Sequence, residues 1–402
     1  MIASSRSSTR QRPSLLKVLM MSDTPADPNR GAAGTEVRTL QALRALGHDV
    51  DAIWSDDLGR RIRHGNLHIL LEQPRTYERA VIAALRRGDY DIVHVNQPHG
   101  FRAARAVHRL SPRTAFIHRS HGFELSVEAA LRPWTETFGS DERNGVRRAA
   151  TAILAPLLRR HAHAIAREAD GHVVSSSLDA DFLHERLSIP RERIALIPQA
   201  APDSFLETSA PSMNAQRLRR VLNVGQFAFV KGPMIAAAAM NALARSEPDL
   251  QFTWVCDRAS EEPIRALLTA EANRLLAVIP WTTQEALRDL YDAHGIFLFP
   301  SFFEGFGKAF LEAMSRGLCV VASDVGGMHD VIESGNNGIL VAAGDASALA
   351  DSVSRIARDP AAAASMSLAA AITARGYTWD RVARELSEFY RARLIARDTM
   401  RR

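Results

Sequence analysis

The stretch FPSFFEGFGKAFLEAMSRG, residues 299–317, sets Glu304 and Glu312 eight positions apart, with Gly305, Gly307 and Lys308 between them. GIFLFPS just before it is an apolar run that reads as a buried strand. After it, Phe310, Leu311 and Met314 recur at helical spacing, so residues 302–307 form the loop at the strand's carboxyl end and a helix begins near Phe306–Lys308. The two glycines let backbone come close to a ligand, and the first N–H groups of a helix have no partner within it. That combination makes an anion site suited to a phosphate. Carboxylates repel phosphate, so Glu304 and Glu312 suit the uncharged parts of the same ligand: hydroxyls of a sugar and a ribose on either side of a diphosphate. A purely structural reading stands beside this one, with Glu304 capping the helix and Glu312 pairing with Lys308 four residues back.

Lysine usage points the same way. Of 50 basic residues only Lys17, Lys231 and Lys308 are lysines, and two of them lie in strand-to-helix loops with glycine alongside, VGQFAFVKG and EGFGK. A chain that otherwise uses arginine places a flexible point charge in both loops, which is consistent with phosphate binding. Other chemistry-bearing residues carry less. DYD (Asp89–Asp91) and DAD (Asp179–Asp181) imitate a metal-binding pair of aspartates, but the first stands at the amino end of a strand and the second in a helix, where surface capping explains them. His161 and His163 are two apart in a helical stretch and face different ways, unlike paired zinc ligands. His94 reads as core, and the loop NQPHG opens into the cleft, where His99 is a lesser candidate for touching an acceptor. Tyr77 and the basic run Arg60–Arg63 read as solvated surface that could also meet lipid or sugar.

These loops need a scaffold, and the chain supplies one twice. KVLMMS, HDVDAIW, DIVHVN, TAFIHRS, GHVVSS and RIALIPQ are strand-like runs separated by amphipathic helical patterns, including a helix from about Gly34 to Leu46 stopped by Gly47. AAPDSFLETSAPSMNA has no clear period and reads as a linker. The same grammar then restarts with RVLNVG, QFTWVC, AVIPW, GIFLFPS, CVVASD and GILVAA. The expectation is an α/β protein of two Rossmann-like domains whose parallel sheets face a central cleft, with ligands at the carboxyl ends of the strands. Residues 1–14 read as a disordered tail, 15–200 as the first domain, 201–215 as the linker and 216–378 as the second domain. The last segment, WDRVARELSEFYRARLIAR within 379–402, repeats apolar residues at helical spacing and could fold back onto either half.

Composition narrows the classes. The chain has 402 residues, 46% of them hydrophobic, enough for two domains with real cores. No apolar run approaches the roughly 20 residues that cross a bilayer, and the start lacks the pattern of a signal peptide. Cys256 and Cys319 each lie in an apolar run and read as buried thiols in a reducing compartment. The expectation is a cytoplasmic protein. Residues 1–200 carry 29 basic against 22 acidic residues, residues 201–375 carry 14 against 19, and residues 376–402 carry 7 against 4. That asymmetry argues against one nucleic-acid groove along the molecule. It fits a first domain that meets anionic matter, a membrane's inner face or a phosphorylated acceptor, or simply solvated surface charge.

EGFGKAFLE, with LFPS before it and EAMSRGLCVVASDVGGMHDVIESGNNGILV after it, resembles the glutamate–seven residues–glutamate region of the retaining nucleotide-sugar glycosyltransferases of family four, which have the two-domain GT-B fold. VGQFAFVKG resembles that family's phosphate loop, LIPQAAPDSF its interdomain loop and YTWDRVARELSEFY its closing helix. GAAGTEVRTLQALRALGHDV and HRSHGFE resemble its first loop and its histidine segment. The resemblance covers roughly residues 15–395 and is most specific in the second half. It implies that Glu312 binds the donor's ribose, that Glu304 contacts the donor sugar, and that the amides of Gly305, Phe306, Gly307 and Lys308 hold hydroxyls and phosphate. It implies that Lys231 neutralises the leaving diphosphate, that His121 approaches the sugar from the opposing domain, that Gly34, Gly225 and Gln226 border the donor, and that Gly326 and Gly327 line the cleft. The closing helix would cross back onto the first domain. No metal and no cofactor beyond the nucleotide sugar are implied, and the acceptor is a glycan, a lipid or a small molecule. Retention of configuration is part of the resemblance, and polysaccharide, glycolipid or glycoside synthesis is its context.

This chain departs from the family pattern twice. Gln226 stands where an arginine is usual, and Ala33–Gly34 replaces a glycine pair. A non-catalytic relative that binds a nucleotide or a partner protein is therefore the reading from another class, and a sugar-nucleotide 2-epimerase is a second enzyme reading. The base-reading loops, around Cys256–Arg258 and Pro280–Trp281, do not reveal which base they take.

Overall fold

A computed structural model describes residues 15–29, 31–63, 65–139 and 145–399, and the expected tail at 1–14 lies outside them. Two six-stranded parallel sheets organise the described chain. The first comprises β1 (Lys17–Met21), β2 (Asp49–Ile53), β3 (Ile92–Asn96), β4 (Ala115–Arg119), β5 (Gly171–Val174) and β6 (Ile194–Leu196), in the order β2-β1-β3-β4-β5-β6. The second comprises β7 (Arg220–Val224), β8 (Gln251–Cys256), β9 (Leu276–Pro280), β10 (Ile296–Phe299), β11 (Cys319–Ser323) and β12 (Ile339–Val341), in the order β12-β11-β10-β7-β8-β9. Central strands such as IVHVN, AFIHR and CVVAS are buried at every position, as parallel strands covered by helices on both faces must be.

Strand order decides what meets at the cleft. In the second sheet the sequence reverses direction between β7 and β10, which pair directly. The loops leaving those two strands carry Lys231 and Glu304, and the reversal point of an open α/β sheet is where neighbouring loops part to admit a ligand. The first sheet reverses between β1 and β3 in the same way.

The first helix starts at Gly31, three residues earlier than the sequence implied, and ends at Ala45 before Gly47 in the left-handed region at φ 91°. The last helix, Trp379–Thr399, lies on the first domain. Tyr390 bonds His94 at 2.6 Å, Ser387 bonds His48 at 2.8 Å, and a Cβ on Gly171 would meet the Phe389 ring at 2.6 Å.

Residues 201–215 are ordered rather than loose. A short helix at Asp203–Leu206 buries Phe205 against Tyr291, and the backbone carbonyls on either side are taken up by two buried arginines. Arg316 donates to Phe205 O at 3.0 Å, Thr208 O at 2.9 Å and Ser209 O at 3.2 Å while pairing with Asp292 at 2.6 Å. Arg217 donates to Pro211 O at 2.5 Å and to Arg316 O at 2.9 Å. Nothing in the run of Pro, Ser and Ala betrays this, because the donors lie in other elements. Arg316→Ala leaves several buried carbonyls and Asp292 without their cation, and we expect a loss of about 3–5 kcal/mol by chemical denaturation. A change within 1 kcal/mol of wild type, on the order of a surface substitution, would contradict the pinned linker.

Candidate active site

The turn after β10 builds the second domain's half of the site. Gly307 caps the helix Lys308–Ser315 in the left-handed region, φ 90° and ψ 49°, where a side chain would be strained and would strike the Met328 sulfur at 2.8 Å. No acceptor among the described residues receives the amides of Gly305, Phe306, Gly307 or Lys308. Gly225 differs: its amide is taken by Val255 O at 3.1 Å, continuing the strand pairing. Gln226 is exposed at the end of that strand.

Glu304 is 7% exposed and fully engaged. Lys231 Nζ donates to its two oxygens at 2.7 and 2.9 Å, and Ser301 Oγ donates at 2.7 Å. Lys231 reaches it because the two loops are stitched together: Phe302 N donates to Val230 O at 2.9 Å, and a Cβ on Gly232 would meet Pro300 O at 2.1 Å. The sequence placed both residues at a ligand but not against each other. Glu304 therefore does not cap the helix. The loop after β11 presses on the same turn, since a Cβ on Gly326 would meet Glu304 O at 2.3 Å and Gly327 N donates to Phe306 O at 3.0 Å.

Glu312 is buried one turn further on and accepts from Tyr291 Oη at 3.2 Å. Burial raises its pKa, opposed by Lys308, Tyr291 and Arg38. Burial lowers that of Lys308, opposed by Glu312. Each group opposes the other's burial shift, and no salt bridge joins them among the described residues.

The first domain supplies His121, two residues beyond β4. Its Nε2 donates to Glu36 Oε1 at 2.8 Å, and Gln199 Nε2 lies 3.5 Å from Nδ1. Glu36 is buried, which alone would raise its pKa, but Arg119 and His121 outweigh burial and hold it at about 2. An ionised Glu36 fixes the His121 tautomer with its proton on Nε2. The lobes touch here: a Cβ on Gly305 would meet His121 O at 1.9 Å. They also touch where Lys308 Nζ donates to Gly31 O at 3.3 Å, Arg38 donates to Gln284 at 3.0 Å, and Trp134 stacks on Phe302 with ring centroids 4.6 Å apart.

Several sequence readings need correction. Gly34 lies inside the first helix, and its missing side chain makes room for Pro28 O, which a Cβ would meet at 2.5 Å. That close approach by itself requires a glycine at the position. Tyr77 is fully buried, not a surface contact, and His99 is buried with its Nδ1 3.3 Å from that of His161. Asp179 is 1% exposed rather than a surface cap, whereas Asp181 does pair with Arg191 at the surface. Asp91 accepts from Lys17 N at 2.8 Å at the amino end of the sheet. Sequence reasoning missed Glu36, Arg38, Arg119, Gln199, Ser301 and Tyr291. A glutamate or arginine within an amphipathic helix gives no local signal, and Ser301 had only its place in LFPS.

Residues 31–204 match the family described as "Glycosyltransferase Family 4", and residues 219–359 match "Glycosyl transferases group 1". The chain belongs to the family-four glycosyltransferases. Among curated relatives, a D-inositol 3-phosphate glycosyltransferase of Pseudarthrobacter chlorophenolicus is 30% identical over 244 residues, 57% of this chain and 57% of that protein. An alpha-D-kanosaminyltransferase of Streptomyces kanamyceticus is 26% identical over 251 residues, 60% of this chain and 64% of that one. The matches thus span little more than half the length of these relatives. The fold is that of sucrose-phosphate synthase from Thermosynechococcus elongatus, with TM-score 0.73 at 22% identity over 94% of this chain and 100% of that one. Anabaena HepE in complex with UDP and glucose aligns with TM-score 0.65 at 17% identity over 93% and 98% of the two chains. The architecture of this family-four chain is GT-B, two Rossmann-like domains facing a cleft. Among the described residues no helix is long and apolar enough to cross a membrane.

Proposed function

We propose that the protein transfers a glycosyl group from a nucleoside-diphosphate sugar to an acceptor hydroxyl, with retention of anomeric configuration and without a metal ion. One observation carries this reading: unpaired amides of the Lys308–Ser315 helix, two ammonium groups and two buried glutamates converge at the second sheet's reversal point, opposite His121. Relatives named for transfer to inositol 3-phosphate and for kanosamine transfer support a small polyol or sugar acceptor.

In the reaction the bond from the anomeric carbon to the diphosphate oxygen breaks, and a bond to the acceptor oxygen forms on the same face. The acceptor's proton passes to the departing diphosphate. The amides of Gly305–Lys308 with Lys231 and Lys308 offset about two negative charges, the task a metal performs in other enzymes. Glu304 and Glu312 hold hydroxyls of the sugar and the ribose. His121, its tautomer fixed by Glu36, meets the sugar from the first domain. Work on glycosides, glycolipids or surface polysaccharide in the cytoplasm, with the basic first domain against an anionic membrane where the acceptor is lipid-bound, fits this chemistry.

A thermal-shift series with UDP, GDP and ADP tests the reading. We expect one nucleoside diphosphate at 100 times its Kd to stabilise the protein by about 2.7 kcal/mol, equally with magnesium and with EDTA. No shift with any of the three counts against donor binding, and a shift that vanishes in EDTA counts against metal independence. Exposed Gln226, which leaves one position without a cation, favours a second reading as a nucleotide-binding protein without turnover; assaying release of the diphosphate from its sugar separates the two.

A further inference from the structure

The helix Pro360–Ala374 has one anchored face and one bare one. Its inner face is fixed in the second domain: Met366, Ala370 and Ala374 are buried in the domain's cores, Ser367 Oγ donates to Gly317 O at 2.6 Å, and Cys319 Sγ donates to Ala363 O at 3.3 Å. The outer face carries Ala361, Ser365, Leu368 and Ile372, all exposed and spaced by four, three and four residues, so they form one stripe along the helix. Leu368 is 63% exposed and Ile372 59%, the two most exposed large apolar side chains of the second domain. PAAAASMSLAAAITA contains no charged residue at any of its 15 positions, whereas a surface helix ordinarily turns charged and polar residues to solvent.

The pattern selects an occupant. Lipid headgroups and nucleic acid call for lysine or arginine on the face itself, and this stripe has neither. Its four-three-four spacing is that of a coiled-coil seam, and the order of sizes picks the partner. Small residues, Ala361 and Ser365, come first, and large ones, Leu368 and Ile372, come last. Laid antiparallel on the same helix of a second copy, the stripe sets Ile372 opposite the partner's Ala361 and Leu368 opposite the partner's Ser365. A parallel pair would crowd leucine on leucine and isoleucine on isoleucine and leave a gap between the alanines. The antiparallel register also brings Arg375, at the end of one helix, beside the partner's Asp359, the residue that caps the start of the other. Both are exposed, and neither has an ion-pair partner among the described residues. Arg358, next to Asp359, is already paired with Glu247 at 2.5 Å.

We propose that the helix Pro360–Ala374 is a self-association face that joins two copies of this chain as an antiparallel, two-fold pair. A contact of that symmetry needs one self-complementary patch, and the size order and the end charges supply it. The helix is about 22 Å long, and pairing along it alone falls short of the roughly 1,200 Å² of a standard interface. The pair is therefore weak and concentration-dependent, with a Kd on the order of micromolar. The proposal does not depend on the transferase reading.

Sedimentation velocity of the full chain over about 1–200 µM, a range that brackets such a Kd, measures the association. The mass is expected to climb from 44.2 kDa towards twice that value. Leu368→Glu, at an exposed position, is expected to keep the wild-type melting temperature and weaken association at least about tenfold, and Ile372→Glu to do the same. Disulfide trapping reads the register, because the chain's own two cysteines are buried. Mixed and oxidised, Ala361→Cys and Ile372→Cys chains are expected to crosslink to each other, and neither to itself, since like positions lie about 16 Å apart in the antiparallel pair. A 44.2 kDa species at every concentration, a dimer untouched by either glutamate, or crosslinking of Ala361→Cys with itself overturns the proposal. Should Leu368→Glu misfold, Ile372→Glu and the crosslinking decide.

Discussion

Replacing Glu304 with glutamine is expected to abolish glycosyl transfer while leaving nucleoside diphosphate bound as tightly as before or more tightly. The carboxylate holds Lys231 through both oxygens and takes the Ser301 hydroxyl as well. The ammonium group that the leaving diphosphate needs is therefore occupied in the resting protein, and Glu304→Gln releases it. Glutamine keeps the shape and one acceptor but forfeits the charge that favours a positive anomeric centre and binds sugar hydroxyls. An interaction realised chiefly in the transition state lowers kcat and kcat/KM together when removed. Loss of one such preorganised group costs on the order of 100–1,000-fold. Lys231→Ala should lower both transfer and diphosphate affinity, because the cation itself is gone. Steady-state transfer assays and diphosphate titration on the two variants distinguish the roles, and a Glu304→Gln enzyme within threefold of wild type would remove Glu304 from the chemistry.

Acidification from pH 7 to 5 is expected to destabilise the fold well before the carboxylates of the surface titrate. Burial holds His94 and His99 down to about 3 and His172 and His294 to about 4, and holds His118 well below the usual imidazole range. In the unfolded chain these rings protonate near 6.5. Between the folded and unfolded values the unfolded state binds more protons, so stability rises with pH and falls on acidification, by about 1.4 kcal/mol per pH unit for each group. Glu124 and Asp179, raised to about 8 and about 6, act in the opposite sense, their contribution growing as pH falls, and the raised Asp23 and Glu312 join them. Five strongly lowered histidines against four carboxyls leave a positive net slope, on the order of 1–2 kcal/mol per pH unit near pH 5.5. Urea denaturation at half-unit steps measures it. A midpoint that holds steady or climbs from pH 7 to 5 would show that these rings are not buried neutral.

What could be read beforehand was the chemistry that neighbours in sequence create. Glycines around a strand end, a helix starting at Lys308 and a glutamate at each end of EGFGKAFLE describe an anion turn wherever the segment is placed. The alternating strands and helices told of two parallel sheets by the same logic. Readings failed where the answer depended on what packs from elsewhere. Tyr77 looked like surface because its own segment is polar, and His99 looked open to the cleft, yet both are buried. Gly34 also makes room for Pro28 O, a contact that no local pattern announces.

By itself the sequence determined the two-lobed α/β plan and the ligand-ready turn of the second lobe, because periodicity, glycine conformation and unpaired helix amides act over a few residues. The tertiary structure alone decided that Lys231 locks onto Glu304 and that Glu36 orients His121. Those relations join residues tens of positions apart. Their energies depend on distance and burial, and strand order and domain closure, not chain neighbourhood, set both.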